Sequence, residues 1–411
     1  MSVKRCTYDL ESRTFKADPH PTYAAMRQDA PLCRHVENNG NAFWLITRYV
    51  DAVTVSRAHH QFVKNQHNTL TPDEQAQLPP LSSFEQMLNS HMLNQDGADH
   101  TRLRTLVNRA FGARNVNQMR ARVQTIADDL LDQVQPQGQM DLIDNFAFPL
   151  PIIVIAELLG IPAADRNQFR EFSNAFISSP RTPEEGVRQG QIIMDFIAYL
   201  GRLFAQRRQN GQDDLITALI QAEETGDKLS EEELYSMVIL LMVAGHETTV
   251  NLIGNGLLAL LQHPEQWEQL KADPALVEPA IEELLRYDGP IDHSTQRYAA
   301  TDVEIAGQWI RRGEAVVISR TAVNRDPTHF PTPDTLDITR QENRHLGFGL
   351  GVHYCLGAAL ARLEMEVALT TLLRRTPNLR LAVPIEALRW RMVSLLHGLE
   401  KLPVVWGEPV N

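Results

Sequence analysis

Apolar residues recur every three to four positions along most of the chain from residue 98 to residue 288, which is the spacing of amphipathic and buried helices. The pattern predicts helices over residues 99–111, 116–134 and 149–159, and a long helix that ends near Arg208. Residues 62 to 94 lack this periodicity, so we expect a long loop there, of the kind that is usually functional or mobile.

The longest predicted helix starts at Ser230, where Glu233 at the third helical position completes a capping box, and it continues to Gln262. At 1.5 Å per residue it would be about 50 Å long. It is apolar on nearly every side between residues 237 and 261, which predicts a buried central helix. Four consecutive polar residues interrupt it, namely His246, Glu247, Thr248 and Thr249.

Beyond the central helix the pattern changes to short strands at residues 295–298, 303–305, 309–311 and 316–318. A strong helix pattern follows at 356–374, and the tail alternates as a terminal hairpin would. These strands are too few for a fold built on a sheet, so the predicted class is mainly α. We expect a single domain over residues 1–411, with a smaller β-containing part from about 1–60, 295–345 and 380–411.

Composition agrees with one globular domain, since 43% of the 411 residues are apolar and 22% are charged, and no linker divides them. The first residues lack the apolar core of a signal peptide, and the longest apolar run has nine residues, which predicts a cytoplasmic protein with no membrane span. Three cysteines, Cys6, Cys33 and Cys355, are too scattered for a disulfide framework.

A net charge of −12 disfavours nucleic acid as a partner. One segment departs from this balance, because residues 100 to 127 contain six arginines and no Asp or Glu. It could be a solvated helix face, a dock for an acidic partner, or an anchor for an anionic cofactor.

The stretch from His345 to Gly357 surrounds Cys355 with glycines at 347, 349, 351 and 357. Glycines let a backbone approach something flat, and Cys355 would lie at the N-terminus of the next helix, where the dipole favours a thiolate able to bind a metal. The stretch does not match the dinucleotide pattern or a phosphate loop. The sequence from His246 likewise lacks the second histidine of a zinc-protease helix.

The run from Phe348 to Gly357, Phe-Gly-Leu-Gly-Val-His-Tyr-Cys-Leu-Gly, resembles the cysteine signature of the cytochrome P450 family. Three further signatures occur in the expected order. Ala244-Gly-His-Glu-Thr-Thr is similar to the family's oxygen-activating stretch, Glu283-Leu-Leu-Arg286 to its Glu-x-x-Arg pair, and residues 326–334 with Arg340 to its meander. The resemblance implies the family fold, a triangular helical domain with a long central helix and small β-sheets.

The resemblance also implies a haem b whose iron is bound by Cys355, because a thiolate ligand favours cleavage of the O–O bond. Further haem contacts are expected from Ala244, Gly245, Phe348, Gly349 and Gly357. The propionates are expected to meet His100, Arg104, Arg297 and His353, whose cationic and donor groups would neutralise them.

By the same resemblance Glu247 and Thr248 are the acid and alcohol that relay protons to dioxygen. The alternative for Thr249, and less so for Thr248, is a hydroxyl that bonds back to a helix carbonyl. We expect Gly245 to loosen the helix beside them. Glu283, Arg286 and Arg340 are expected to form a buried structural cluster rather than a catalytic one.

The expected activity is monooxygenation, such as hydroxylation, of a small apolar organic substrate by O2, with electrons from a separate ferredoxin or flavodoxin. Arg102, Arg109 and Arg114 are candidates for docking that partner. The predicted pocket includes Phe84, Leu88, Phe172, Val243, Ile291, His293 and Leu395. His293 could bond a substrate oxygen or face solvent. Lys64 is the only Lys or Arg between residues 62 and 101, which disfavours a carboxylate-anchored fatty acid. A peroxide-driven peroxygenase and a haem sensor or carrier without turnover are the alternatives.

Overall fold

A computed structural model of the chain describes residues 6–37, 40–108, 110–177, 182–224 and 229–407. This part is mainly helical with small sheets, which confirms the predicted class. The α-helices are, in chain order, Arg13–Ala17, His20–Asp29, Tyr49–Arg57, Pro72–Ala76, Ser83–Asn89, Gly97–Asn108, Ala113–Gln118, Arg120–Val134, Pro149–Leu159, Arg166–Ile177, Pro183–Gln209, Leu215–Glu224, Glu231–Gln262, Pro264–Ala272, Val277–Tyr287, Arg320–Val323 and Ala358–Arg375.

The chain forms two compact units. The first comprises Met1–Leu78, Ala127–Ala147 and Thr248–Asn411, and the second comprises Pro79–Ile126 and Phe148–Glu247. Within the described ranges all strands belong to the first unit, and most fall in the predicted β-containing segments. The interpretation of residues 1–411 as a single domain stays a prediction.

The largest sheet of the first unit is buried on both faces. Trp44, Ile46, Val316 and Ile318 pack into one apolar cluster, whereas the alternate residues Phe43, Leu45 and Val317 pack into another, as the period of two in a strand requires. Ala42–Ile46 and Ala315–Ile318 are parallel, and the other neighbouring strands of this sheet are antiparallel. In spatial order the strands are Leu32–Val36, Ala42–Ile46, Ala315–Ile318, Arg297–Ala299 and Phe62–Val63.

Two smaller sheets complete the first unit. Val303–Ile305 and Gln308–Ile310 form a hairpin whose two turn residues, Ala306 and Gly307, both have positive φ. Pro403–Val405 pairs antiparallel with both Arg380–Leu381 and Gln139–Asp141, so the C-terminal pairing predicted from the tail is present.

The prediction of one long loop over residues 62–94 was wrong. This segment contains two short helices, Pro72–Ala76 and Ser83–Asn89, and each begins with a capping box, formed by Thr71 with Glu74 and by Ser82 with Glu85. Reciprocal capping satisfies two backbone N–H groups at each start, so the helices form although they bury none of their residues. Hydrophobic periodicity could not reveal helices that have no buried face.

The central helix, Glu231–Gln262, begins as its capping box predicts. The Ser230 backbone N–H donates to Glu233 at 2.9 Å, and the Glu233 N–H donates to the Ser230 hydroxyl at 3.2 Å. The helix is long and apolar enough to cross a membrane, but 78% of its most apolar window is buried inside the protein, as in a core helix. Its residues up to Glu247 belong to the second unit and those from Thr248 to the first.

Glycines on the central helix allow neighbouring helices to approach closely. A Cβ on Gly245 would lie 2.9 Å from Ile155, so the missing side chain makes room for Pro149–Leu159. The helix stays α-helical through this position, and the expected loosening at Gly245 stays a prediction. Gly256 similarly accommodates the side chains of Met365 and Leu284, with a built Cβ only 2.8 Å from Met365.

We expect Gly256→Val to destabilise the protein by about 1–3 kcal/mol, because the added methyl groups overpack a closed helix contact. Gly190→Ala is the matched control, since a Cβ there meets nothing within 4 Å. This variant should leave stability unchanged or raise it by up to about 1 kcal/mol. Denaturant unfolding of both variants measures the difference, and equal midpoints would contradict the packing assignment.

Candidate functional site

Cys355 lies in a short connection between the 3₁₀ turn Gly351–His353 and the helix Ala358–Arg375. Its backbone N–H donates to the Phe348 carbonyl at 2.9 Å, and its side chain is exposed. The helix starts two residues later than predicted, with Gly357 as its N-cap and no side-chain capping bond. The backbone N–H groups of the first helical turn therefore point out of the N-terminus toward the cysteine loop, where they stabilise a negative charge.

The glycines before Cys355 are required by the path of the backbone. Gly349 and Gly351 have φ of 78° and 81°, a region that other residues rarely adopt. A Cβ on Gly351 would also lie 2.7 Å from the Ser56 carbonyl oxygen. The loop is thus held in one conformation rather than left flexible.

Arg320 was missed by the sequence analysis. Its guanidinium lies against Gly349, where a built Cβ would meet it at 3.2 Å, and it donates to the Leu346 carbonyl. Burial and neighbouring Arg297 lower its pKa to about 10, and nearby Cys355 opposes that change. The charges of Arg297 and Cys355 therefore both act on the Arg320 guanidinium. No motif marks Arg320, whose sequence signal is that it lies two residues after Ala315–Ile318, the strand that pairs with Arg297.

These residues fit a haem. An exposed thiol can bind iron as a thiolate, and two adjacent guanidinium groups repel each other unless an anion such as a propionate lies between them. Gly357 has open space where a Cβ would point, so a flat group can approach the backbone there. His353 is half-buried on the turn that precedes the cysteine.

The structure brings Glu283, Arg286 and Arg340 together in a cluster in which Glu283 and Arg286 are fully buried. Arg286 donates twice to the Glu283 carboxylate, at 2.7 and 2.8 Å, and Arg340 donates to it at 3.1 Å. Arg286 also donates to the carbonyls of Asn324, Pro333 and Thr335. A buried ion pair with its remaining donors satisfied fixes the segments that it joins.

A second set of charges supports the cysteine loop from outside. Arg362 donates to both oxygens of Glu282, and its guanidinium lies 4.5 Å from the centre of the Phe348 ring. The His345 ring bonds Glu282 through Nε2 at 3.1 Å and accepts the Gly347 N–H through Nδ1. Although burial opposes it, Arg362 and His345 lower the pKa of Glu282 to about 2.

A short stripe on the otherwise buried central helix is accessible. Ala244 is exposed, and Val243, Gly245 and Thr248 are half-buried. Ala244, Gly245 and Thr248 lie on one side of the helix, because Gly245 and Thr248 follow Ala244 by one and four residues. A surface of this kind on a core helix can contact a bound molecule.

Polar residues beside the stripe point into the protein. His246 is fully buried, 3.2 Å from the Ser173 hydroxyl and 3.0 Å from the Met242 carbonyl oxygen. Glu247 is 1% exposed and lies 3.4 Å from His246.

The basic segment is only partly available for docking. Arg102 is already neutralised by Glu233 at 2.6 Å and Asp99 at 3.2 Å, so the expectation that it docks a partner does not suit its geometry. Arg109 lies outside the described residues, and Arg114 is exposed. His100 and Arg104 lie on the helix Gly97–Asn108 of the second unit, and their haem contacts stay predictions.

The predicted pocket residues of the second unit differ in exposure. Phe84 is exposed on the helix Ser83–Asn89, and Leu88 is half-buried on the same helix. Phe172 instead lies in an aromatic cluster, 4.8 Å from the Phe196 ring.

In the first unit Ile291 is half-buried and Leu395 is exposed. His293 is buried, with its ring nitrogens bonded to the Tyr23 hydroxyl at 3.0 Å and the Ser394 hydroxyl at 3.2 Å. The solvent-facing alternative for His293 was therefore wrong, and its ring is already used within the protein. The Lys64 ammonium group is also hydrogen-bonded within the protein, because it donates to Thr295 Oγ1 at 2.6 Å and to the Gln296 carbonyl.

Comparisons with known proteins agree on one family. A family model described as "Cytochrome P450" matches residues 167–376. A Bacillus subtilis cytochrome P450 is 45% identical over 96% of both chains. The vitamin D(3) 25-hydroxylase of Pseudonocardia autotrophica is 41% identical over 97% of this chain and 96% of its own. A crystal structure of a myxobacterial cytochrome P450 in complex with myristic acid has a TM-score of 0.91 at 42% identity, covering 98% of this chain and 100% of that one.

We expect Arg286→Ala to prevent stable incorporation of haem, because it leaves the Glu283 carboxylate without its bidentate partner and frees three carbonyls of the segment before Cys355. Removing one partner of a buried ion pair costs about 3–5 kcal/mol. The ratio of haem to protein absorbance in the purified protein measures incorporation.

Arg374→Ala is the control, since that arginine makes an exposed pair with Asp128. An Arg286→Ala protein that retained the wild-type haem ratio and unfolding midpoint would show that the cluster does not support the site.

Proposed function

The chain belongs to the cytochrome P450 family, and from that premise we propose how its own residues perform the reaction and which molecules it accepts. It is a haem-thiolate monooxygenase, an enzyme that places one atom of dioxygen into an apolar small molecule. The observation that carries the residue assignments is the exposed Cys355 thiol at the end of a glycine-rich loop, against which the Arg320 guanidinium lies.

Cys355 holds the haem through its sulfur, and Arg297, His353 and Arg320 hold the propionates. Guanidinium and imidazole donors suit this role because they neutralise carboxylates that water no longer solvates. His100 and Arg104 are further candidates from the sequence. When bound, the haem supplies the redox chemistry by which one oxygen atom enters the substrate and the other leaves as water. The remaining groups orient the substrate and deliver protons.

Thr248 and Glu247 deliver protons to the reacting oxygen. The Thr248 hydroxyl is half-buried on the accessible stripe of the central helix, where it can donate a hydrogen bond to a bound molecule. Glu247 is 1% exposed in an apolar helix, where burying a carboxyl group costs free energy. A functional role explains why it is retained. Glu247 supplies the proton that the Thr248 Oγ1 atom passes on.

The substrate is a neutral, bulky apolar molecule rather than a fatty acid held by its carboxylate. Lys64 cannot serve as the carboxylate anchor without breaking its bonds to Thr295 and Gln296, which occupy its buried ammonium group. Two relatives are a vitamin D(3) 25-hydroxylase and a mycinamicin IV hydroxylase/epoxidase, whereas the myxobacterial structure is a complex with myristic acid, so the preference rests on Lys64.

The electrons come from a small acidic ferredoxin or flavodoxin in the cytoplasm. Arg102 is used in its ion pairs, and Arg114 is exposed. Arg114 therefore remains a candidate for docking the partner. Salt should slow reduction if the encounter is electrostatic.

We expect Thr248→Ala to consume NADPH at a rate within about threefold of wild type while releasing most of the electrons as hydrogen peroxide, because substrate and dioxygen still bind but a proton donor is lost. Thr248→Ser is the matched control that restores the hydroxyl. The measurement is the ratio of product to NADPH consumed, with a surrogate ferredoxin and its reductase. Tight coupling in Thr248→Ala would remove Thr248 from the proton path.

Neutral ring compounds should shift the main haem absorption band at concentrations at least about tenfold lower than a fatty acid of equal carbon number. The reason is that no free lysine is available in the segment 62–101 to hold a carboxylate. Spectral titration with matched pairs of alcohol and acid measures this preference. Equal or tighter binding of the acids would contradict the proposed substrate class.

A further inference from the structure

Cys6 and Cys33, which are far apart in the sequence, are neighbours in the first unit. The backbone N–H of Cys6 donates to the Arg34 carbonyl at 3.0 Å, which holds the N-terminal segment beside the strand Leu32–Val36. Cys33 is fully buried in an apolar cluster of the sheet, and the half-buried Cys6 packs against the same cluster. Neither cysteine has a part in the reaction described above.

The side chains of Cys33 and His35 both meet Cys6. These two residues are two positions apart in one strand, so they project from the same face, and each forms a side-chain hydrogen bond with Cys6. Backbones joined by a strand-type hydrogen bond lie about 5 Å apart. A disulfide joins Cα atoms that are about 4.4–6.8 Å apart. The position of Cys6 beside the strand therefore suits a bond between the two sulfur atoms.

The surroundings of Cys6 favour its thiolate. The hydrogen bond with Cys33 lowers the pKa of Cys6 to about 5 against the opposing effect of burial, and His35 adds to the decrease. Although burial opposes it, Cys6 and Glu11 raise the pKa of His35, whose Nε2 lies 3.6 Å from the Glu11 carboxylate. Because the thiolate is the form that peroxide oxidises and only Cys6 is partly accessible, Cys6 should react first.

We propose that Cys6 and Cys33 are a dithiol site for hydrogen peroxide, which oxidises them to a disulfide. The Cys6 sulfur forms an S–O bond as the O–O bond of the peroxide breaks, and the hydroxide that leaves takes a proton from His35. The Cys33 sulfur then attacks the Cys6 sulfur, an S–S bond forms, and the S–O bond breaks. The second hydroxide leaves with the Cys33 proton. The thiols lose two electrons in total, and one peroxide becomes two water molecules.

The enzyme itself can be the source of the peroxide. A turnover in which dioxygen is reduced but no oxygen atom enters the substrate releases hydrogen peroxide, so the site would react with the by-product of its own protein. This source rests on the proposed monooxygenase function, whereas the chemistry of the two thiols does not. Cellular thiols reduce such a disulfide again, as they do at other redox-sensing cysteines of the cytoplasm.

Peptide mapping of the holoenzyme tests the site without turnover. Cys6 and Cys33 fall on different tryptic peptides, because Arg13 and Arg27 lie between them. Equimolar hydrogen peroxide should link these peptides with the loss of two hydrogen atoms, and dithiothreitol should separate them. Peptides that stay unlinked in the wild type would overturn the proposal, whether or not any variant folds.

Three variants test the order of the steps. Cys33→Ser should leave a sulfenic acid on Cys6 that dimedone traps, and Cys6→Ser should leave Cys33 reduced. His35→Gln should slow the linkage by about threefold or more, because the thiolate is less favoured and a proton donor is lost. The exposed His60 provides the control, His60→Gln, which should react at the wild-type rate. A Cys33 that is oxidised as fast in Cys6→Ser would overturn the order.

The source of the oxidant is tested during turnover with NADPH and a ferredoxin. Thr248→Ala, which should release more peroxide, should link the two peptides faster than the wild type, and catalase should prevent the linkage. Linkage by added peroxide but not during Thr248→Ala turnover would support the dithiol site and contradict the proposed role of Thr248. Linkage by neither route would overturn the dithiol site and leave the monooxygenase assignment untouched.

Discussion

The position of Cys355 depends on a buried carboxylate, Glu283, more than seventy residues before it in the chain. Glu283 is satisfied by Arg286, Arg340 and Asn343, and Arg286 in turn holds the Asn324 carbonyl. The Asn324 side chain accepts the Leu346 N–H at 2.7 Å, and the Phe348 carbonyl accepts the Cys355 N–H. These hydrogen bonds connect the ion cluster to the cysteine loop, so the cluster helps to fix where the thiol lies.

The same constraint explains why the cysteine loop contains so many glycines. Its ends are fixed by the ion cluster and by the helix Ala358–Arg375, so the backbone between them must turn within a few residues. Gly349 and Gly351 provide the left-handed conformations, and the lack of a side chain at Gly351 avoids the Ser56 carbonyl. The loop is rigid because both the ends and the turns are specified. The Cys355 thiol is consequently suited to bind an iron ion rather than to attack a substrate.

Sequence predicted the parts of this arrangement that have a local pattern. The central helix, its capping box and its last residue followed from periodicity, and the cluster of Glu283, Arg286 and Arg340 followed from a motif. Arg320 could not be predicted in this way, because its importance comes from what folding places next to it. The charges of Arg297 and Cys355 act on Arg320 only because folding brings these residues near it. The helices at Pro72 and Ser83 were missed because capping rather than burial forms them.

The absorption of the reduced, carbon monoxide-bound protein reports whether the sulfur of Cys355 binds the haem iron. Wild type should give the red-shifted band that is characteristic of haem with a thiolate ligand. Cys355→Ser should abolish this band, whereas Cys33→Ser, which changes a buried cysteine of the sheet, should retain it. Persistence of the band in Cys355→Ser would contradict the account.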